Sequence, residues 1–349
     1  MARLTPSAAQ ISTPTGSAAL PGATDLISID QIRSAARMLE GVAHRTPLVR
    51  FGSADSRQWL KAESLQPIGA FKIRGAYVAI ASLSEQERAR GIITYSSGNH
   101  AQGVARAARL LGAPAVVVMP TDAPRIKADR VQADGAEIVW VGPSSEERQR
   151  VAEELAARRG LSIIPPFDDD RIIAGQGTVG LEIVEDLQYV GAVLVPIGGG
   201  GLGSGVAAAV RALVPTARII GVEPELAADA RESLAVGSIV TWPAEQVSKT
   251  IADGTRTTHI GQRTFAHLSA FLDAIVTVSE GEIAAAVRLI AEECRLVAEP
   301  SGALAAAAMR YRATEAGLGE VDGAIVGVIS GGNVDPEMYR ELLSSPLPG

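Results

Sequence analysis

A chain of 349 residues, 47% hydrophobic and poor in aromatics, is long enough to bury large cores and suits two α/β lobes or one oversized domain. Its formal charge of −7, without any lysine/arginine block, argues against a nucleic-acid surface, and no apolar run reaches membrane-spanning length. The single cysteine, Cys294, rules out an intramolecular disulfide framework and fits a reducing cytoplasm.

Residues 1–26 are rich in Ser, Thr, Ala and Pro and lack a charged start followed by an apolar block, which predicts a disordered tail rather than a secretion signal. Ser28 and Gln31 then form a capping box ahead of Ile32, Ala36 and Leu39, where folding is expected to start. From there strands and helices alternate, the pattern of parallel sheets with crossover helices. Strands are expected at Trp59–Ala62, Ile92–Tyr95, Ala115–Met119, Glu137–Val141, Val193–Ile197, Arg218–Val222, Ala274–Val278 and Ile325–Ile329. Helical patterns run over Gly103–Leu111, Ser145–Arg159, Gly203–Leu213, Glu280–Arg295 and Gly302–Arg312. The β–α units between Ile92 and Pro165 are short and regular, and suggest a small lobe (91–165) inserted into a larger one (27–90 and 166–349). Cys294 lies in the helical pattern IAEECRLVAE, where a buried inert thiol is expected.

Four segments carry chemistry. In IGAFKIRGA, Gly69 and Ala70 leave room at the backbone, and Lys72 stands where a helix begins. The positive end of the helix dipole disfavours an ammonium there and frees a nucleophilic amine. An ordinary solvated lysine is the bland alternative. SSGNHAQG, Ser96 to Gly103, gathers hydroxyls, a carboxamide and an imidazole at the carboxyl end of a strand. Open α/β sheets bind ligands there, and helix N-termini attract carboxylates. Helix capping by Ser97 or Asn99 would account for only one of these residues. VPIGGGGLGSG, Val195 to Gly205, offers a nest of backbone N–H groups for a phosphate. Gly198, Gly200 and Gly203, with Glu223 downstream, also satisfy a dinucleotide fingerprint, so a nicotinamide-dependent oxidoreductase stays open on this segment alone. SGGN, Ser330 to Asn333, ends a strand with a hydroxyl that could cap a helix or meet a ring nitrogen, and EPSGA, Glu299 to Ala303, reads as a tight turn into a helix.

In this order and spacing, together with AGQGT, IGVEPE and TIADG, the segments resemble the serine/threonine dehydratase and serine racemase family of pyridoxal-phosphate enzymes. The resemblance runs from about Ile29 to about Asp335 and implies the two-lobed tryptophan-synthase-β fold (fold type II), an α/β architecture of open, twisted, mostly parallel sheets flanked by helices. It implies that Lys72 binds the cofactor aldehyde as a Schiff base and then acts as base at the substrate Cα. Phe71 would pack on the ring, Asn99 would partner its 3-hydroxyl and Ser330 its nitrogen. Gly198, Gly199, Gly200 and Gly201, with Leu202, would hold the phosphate. Ser96, Asn99 and His100 would grip the substrate carboxylate. Ser97 matches the position of a second acid/base in racemases, and Arg148 their substrate-side arginine. Glu223, Asp229 and the Ala227 carbonyl match a divalent-cation site suited to Mg²⁺ or Ca²⁺. Ala70 departs from the serine that many members carry in GSFK, which removes a hydroxyl near the phosphate and leaves the lysine in place.

A hydroxyl at the ring nitrogen makes the cofactor a weaker electron sink than a carboxylate would, which favours prompt loss of a β-hydroxyl over a long-lived carbanion. The implied activity is therefore dehydration and deamination of L-threonine or L-serine to a 2-oxo acid and ammonia in a cytoplasmic homodimer. The alternatives are a serine or aspartate racemase, or a dehydratase of hydroxyaspartate or a hydroxyectoine derivative. The short stretch after Ser330 leaves no room for a regulatory domain, so no isoleucine feedback is expected.

Overall fold

A computed structural model describes residues 26–96, 98–123, 125–344 and 346–347, so the expected tail, apart from Leu26, lies outside the described residues. The strands are β1 Leu48–Phe51, β2 Gln58–Ala62, β3 Ile92–Tyr95, β4 Ala115–Pro120, β5 Glu137–Val141, β6 Ser162–Ile163, β7 Val190–Pro196, β8 Arg218–Pro224, β9 Ala274–Val278 and β10 Ala324–Ile329. They form one six-stranded sheet in the order β1-β2-β10-β7-β8-β9 and one four-stranded sheet in the order β5-β4-β3-β6. Pairing is parallel throughout except between β1 and β2. Helices cover the sheets, so central strands such as AVVVMP in β4 are buried along their whole length and read as continuous apolar runs.

Every expected strand is present. β1 and β6 were not expected from the sequence, because runs of four and two residues are too short to show a period. Three helices begin earlier than their apolar pattern does, at Asn99, Gly201 and Pro300. Their first turns are made of the glycines and polar groups that read as loop. The helix from Glu280 stops at Leu289 and continues as a π-helical turn, Ile290–Cys294, closed by Arg295 at φ 59°. Cys294 is buried there, and burial raises its thiol pKa to about 11, so the inert thiol is as expected.

The helix Lys72–Ala81 is held between the helices Asn99–Leu111 and Asp170–Asp186 by glycine contacts. A Cβ on Gly175 would stand 2.6 Å from Gly75 Cα, and one on Gly103 would stand 3.1 Å from the Lys72 carbonyl carbon. These close approaches account for Gly175 of AGQGT and Gly103 of NHAQG. The core continues from this helix into the four-stranded sheet, with Ile73, Ala76 and Ile80 packed among Ile92, Val104 and Val117. On its other side Arg74 is fully buried and bonded to Glu63 and Glu182, so its first turn is fixed by charge as well as packing.

Candidate active site

Backbone bonds stitch the loop before Lys72 to the end of β10. Phe71 N–H donates to Ser330 O at 3.1 Å and Gly332 N–H to Gly69 O at 2.9 Å, while Gly69 turns with φ +72°. Glu299 N–H donates to Gly331 O at 3.0 Å, which brings EPSGA to the same place. The three segments IGAFK, SGGN and EPSGA thus form one floor at the carboxyl ends of β2 and β10.

Lys72 is the first residue of its helix, and its Nζ donates to Pro166 O at 2.7 Å and lies 5.2 Å from the centre of the Phe71 ring. Burial lowers its amine pKa to about 8, so a usable fraction is neutral near neutral pH. His100, at the N-terminal turn of the next helix, sits with Nε2 3.1 Å from Ile164 O and with Nδ1 buried and unpartnered. Burial, and then the Lys72 charge, push its pKa down to about 3, so the imidazole is neutral. Ser96 Oγ accepts from Gly98 N–H at 3.2 Å. Ser97 lies outside the described residues.

Asn99 is held at both ends of its amide. Its Nδ2 donates to Glu299 Oε1 at 2.6 Å and its Oδ1 accepts from Asn333 Nδ2 at 2.8 Å. Glu299 is buried, and burial followed by repulsion from Asp253 raises its carboxyl pKa to about 7. Ser330 Oγ is buried and donates to Ser301 O at 3.3 Å, and Ser301 Oγ accepts from Gly254 N–H at 2.8 Å.

The glycine loop leaves β7 and enters the helix Gly201–Leu213, with Gly200 at φ +92°. Cβ atoms on Gly199 and Gly201 would strike Phe167, at 2.1 Å from its ring and 3.1 Å from its Cα. Thr264 Oγ1 pins the loop from outside by donating to Gly199 O at 2.8 Å. Pro166 and Phe167 therefore link the lysine to the loop. Leu202 is buried in the first turn of the helix that follows.

The family of pyridoxal-phosphate dependent enzymes matches residues 39–331. This chain is a member of that family. It is 40% identical over 323 residues to an L-threo-3-hydroxyaspartate ammonia-lyase of Saccharomyces cerevisiae, covering 91% of this chain and 97% of the relative. It is 41% identical to an L-threonine ammonia-lyase of Thermotoga maritima over 92% of this chain and 79% of the relative. A maize serine racemase structure superposes with a TM-score of 0.85 at 37% identity, covering 91% of this chain and 98% of that one. The expected fold type II architecture, pyridoxal phosphate cofactor and lyase class are borne out.

The residues of this pyridoxal-phosphate enzyme fit the cofactor. A half-buried amine of lowered pKa, a glycine loop packed too closely on Phe167 and Thr264 to carry side chains, and a buried imidazole nitrogen without a partner among the described residues belong to the segments joined here. The dinucleotide alternative loses its acid: Glu223 is buried and its carboxylate accepts from Ala230 N–H at 3.0 Å and Arg231 N–H at 2.8 Å. Asp229 is buried beside it with neither carboxylate oxygen hydrogen-bonded, and burial raises its pKa to about 7. Ala227 is buried in the intervening turn, and no group of three or more His, Cys, Asp or Glu that could hold a metal ion is found among the described residues. Arg148 is half-buried and donates to Pro143 O at 2.8 Å. Sequence reading missed Pro166, Phe167, Glu299, Thr264 and Asn333. Glu299 and Asn333 stood inside recognised motifs, but only their hydrogen bonds to Asn99 show what they touch.

Proposed function

We propose that this enzyme removes water and then ammonia from a β-hydroxy amino acid, with L-threonine or L-serine as the default substrate and the corresponding 2-oxo acid as product. The observation that carries the reading is Lys72: a half-buried amine of lowered pKa beside the Phe71 ring, bonded to Pro166 next to the Phe167 that packs on the glycine loop. Bound pyridoxal phosphate supplies an aldehyde for that amine and an electron sink for the substrate Cα. Lys72 Nζ then takes the Cα proton. Asn99 Nδ2 would donate to the ring oxygen, the Ser330 hydroxyl would turn from Ser301 O to the ring nitrogen, and Phe71 would pack on the ring face. The N–H groups of Gly198, Gly199, Gly200, Gly201 and Leu202 hold the phosphate. Ser96 and Asn99, with the free N–H groups at this helix N-terminus, would orient the substrate carboxylate, whereas the neutral His100 spends its one N–H on Ile164 O and lines the site without a donor to give.

Residues 91–165 serve as the closing lobe over the substrate, a reading supported by their own four-stranded sheet. Glu223, Asp229 and the Ala227 carbonyl hold a Mg²⁺ or Ca²⁺ ion, supported by the unpartnered carboxylate of Asp229 next to a second buried acid. The lone buried thiol supports a cytoplasmic location. The family resemblance supports a homodimer. Among the described residues no helix is long and apolar enough to cross a membrane.

A second reading, turnover of an acidic substrate, is favoured by the likeness to the yeast hydroxyaspartate ammonia-lyase, with Arg148 as the substrate-side cation that the family resemblance offers. Purified holoenzyme incubated with L-threonine, L-serine and L-threo-3-hydroxyaspartate should release ammonia and a 2-oxo acid in equal amounts. Formation of D-serine without pyruvate would replace the lyase reading by a racemase.

A further inference from the structure

The Asn99 amide is the end of a chain of side-chain bonds that crosses between the two sheets. Asn333, just after β10, donates from Nδ2 to Ile68 O at 2.8 Å and to Asn99 Oδ1 at 2.8 Å. Its own Oδ1 accepts from Arg130 Nη1 at 2.6 Å. A backbone carbonyl only accepts and a guanidinium only donates, so these two partners fix which end of the Asn333 amide is which. Asn333 must then present N–H to Asn99, Asn99 must present its oxygen in return, and its nitrogen is left facing Glu299 at 2.6 Å. Each amide nitrogen carries two hydrogens, so one Asn99 Nδ2 hydrogen has no acceptor among the described residues.

We propose that Asn333 and Arg130 are positioning residues for the cofactor: they fix the Asn99 amide so that its remaining N–H is held for the ring 3-oxygen. The inference rests on the reading of Asn99 as the partner of that oxygen. Two features of the chain support it. Gly69, at φ +72°, has no side chain where a Cβ would stand 2.5 Å from Asn333 Oδ1, so the backbone makes room for this amide. Arg130 is an exposed residue of the helix Arg125–Ala133, which belongs to the four-stranded unit, whereas Asn333 and Glu299 belong to the six-stranded one. The same helix sends Lys127 across to Asp253 at 2.8 Å. Seating of this helix against the six-stranded unit is therefore tied to the orientation of the Asn99 amide.

The test is a pH titration of the visible absorption of the holoenzyme without substrate, which reads hydrogen bonding at the ring oxygen independently of turnover. Asn333→Asp keeps the shape but offers an acceptor to Ile68 O and Asn99 Oδ1, and should move the titration midpoint by on the order of one pH unit. Arg130→Ala, at the surface, should move it by about half a unit in the same direction, and Arg130→Lys, which still donates, should restore it. The melting temperature of the Arg130 variants should stay at the wild-type value. Arg125→Ala, on the same helix and outside the chain of bonds, should leave the midpoint unchanged. Wild-type midpoints in Asn333→Asp and Arg130→Ala, with a shifted one in Asn99→Ala, would overturn the network alone. An unshifted Asn99→Ala would overturn it together with the reading of Asn99, while leaving ammonia release to stand or fall separately. If Asn333→Asp does not fold, the Arg130→Ala and Arg130→Lys pair decides.

Discussion

Arg74 is buried two residues beyond the reactive lysine, and replacing it by methionine tests how the site is held. Its Nε and Nη2 reach the two Glu63 oxygens at 2.8 Å each, and Nη1 and Nη2 reach Glu182 at 2.6 and 3.0 Å. Further bonds run to Thr178 Oγ1 at 3.1 Å and His44 O at 3.0 Å. Methionine fills most of the volume but leaves Glu63 buried with only Thr46 at 2.6 Å and Gln66 at 3.1 Å as donors. Removing one partner of a buried pair costs about 3–5 kcal/mol, a large part of the roughly 5–15 kcal/mol that stabilises a typical fold. Urea unfolding of the holoenzyme at pH 7 should show a lower midpoint with an unchanged slope. The double variant Arg74→Met/Glu63→Gln should lose clearly less than the two single losses added, because no uncompensated charge is left. The pH dependence has a definite sign. Burial pushes the Glu63 carboxyl up, but the Arg74 charge and hydrogen bonds outweigh it and hold the pKa below the ordinary 4.5. That contribution is present above pH 4.5 and is lost as pH falls through the lower folded value, so the gap between wild type and Arg74→Met should narrow in acid. A loss under about 1 kcal/mol, or strictly additive single losses, would refute this account.

The lowered pKa of Lys72, about 8, predicts that apoenzyme recaptures pyridoxal phosphate faster as pH rises and levels off above that value. Stopped-flow absorbance from pH 6 to 9 checks this, and Lys72→Ala should show neither the visible band nor ammonia release. The unpartnered Asp229 carboxylate predicts that Mg²⁺ or Ca²⁺ at a hundredfold excess over its dissociation constant stabilises the wild type by about 2.7 kcal/mol, and that Asp229→Asn abolishes the effect. Thermal shift with and without chelator reads it. In Gly199→Ala the new methyl would sit 2.1 Å from the Phe167 ring, so repacking should cost roughly 1–3 kcal/mol. Faster cofactor loss on dialysis should accompany it, and Phe167→Leu in the same chain should recover part of both.

The sequence by itself determined the parallel α/β class, nearly all strands, and the segments that meet at the site, because buried parallel strands and glycine-rich turns leave strong local patterns. Lys72 alone reads as well as an ordinary solvated lysine, and it was the order and spacing of all the motifs, through their family resemblance, that marked it. Local pattern could not say that Glu299 and Asn333 grip Asn99 from 200 and 234 residues away, nor that Arg130 reaches Asn333 from the other sheet. It could not separate a ribose-binding Glu223 from one buried under the N–H groups of Ala230 and Arg231. Hydrogen-bond partners distant in sequence are chosen by the packing of whole elements. The helix Lys72–Ala81 finds its place through glycine contacts and the Arg74 charges, and only then are the amide, the carboxyl and the amine close enough to set one another's chemistry.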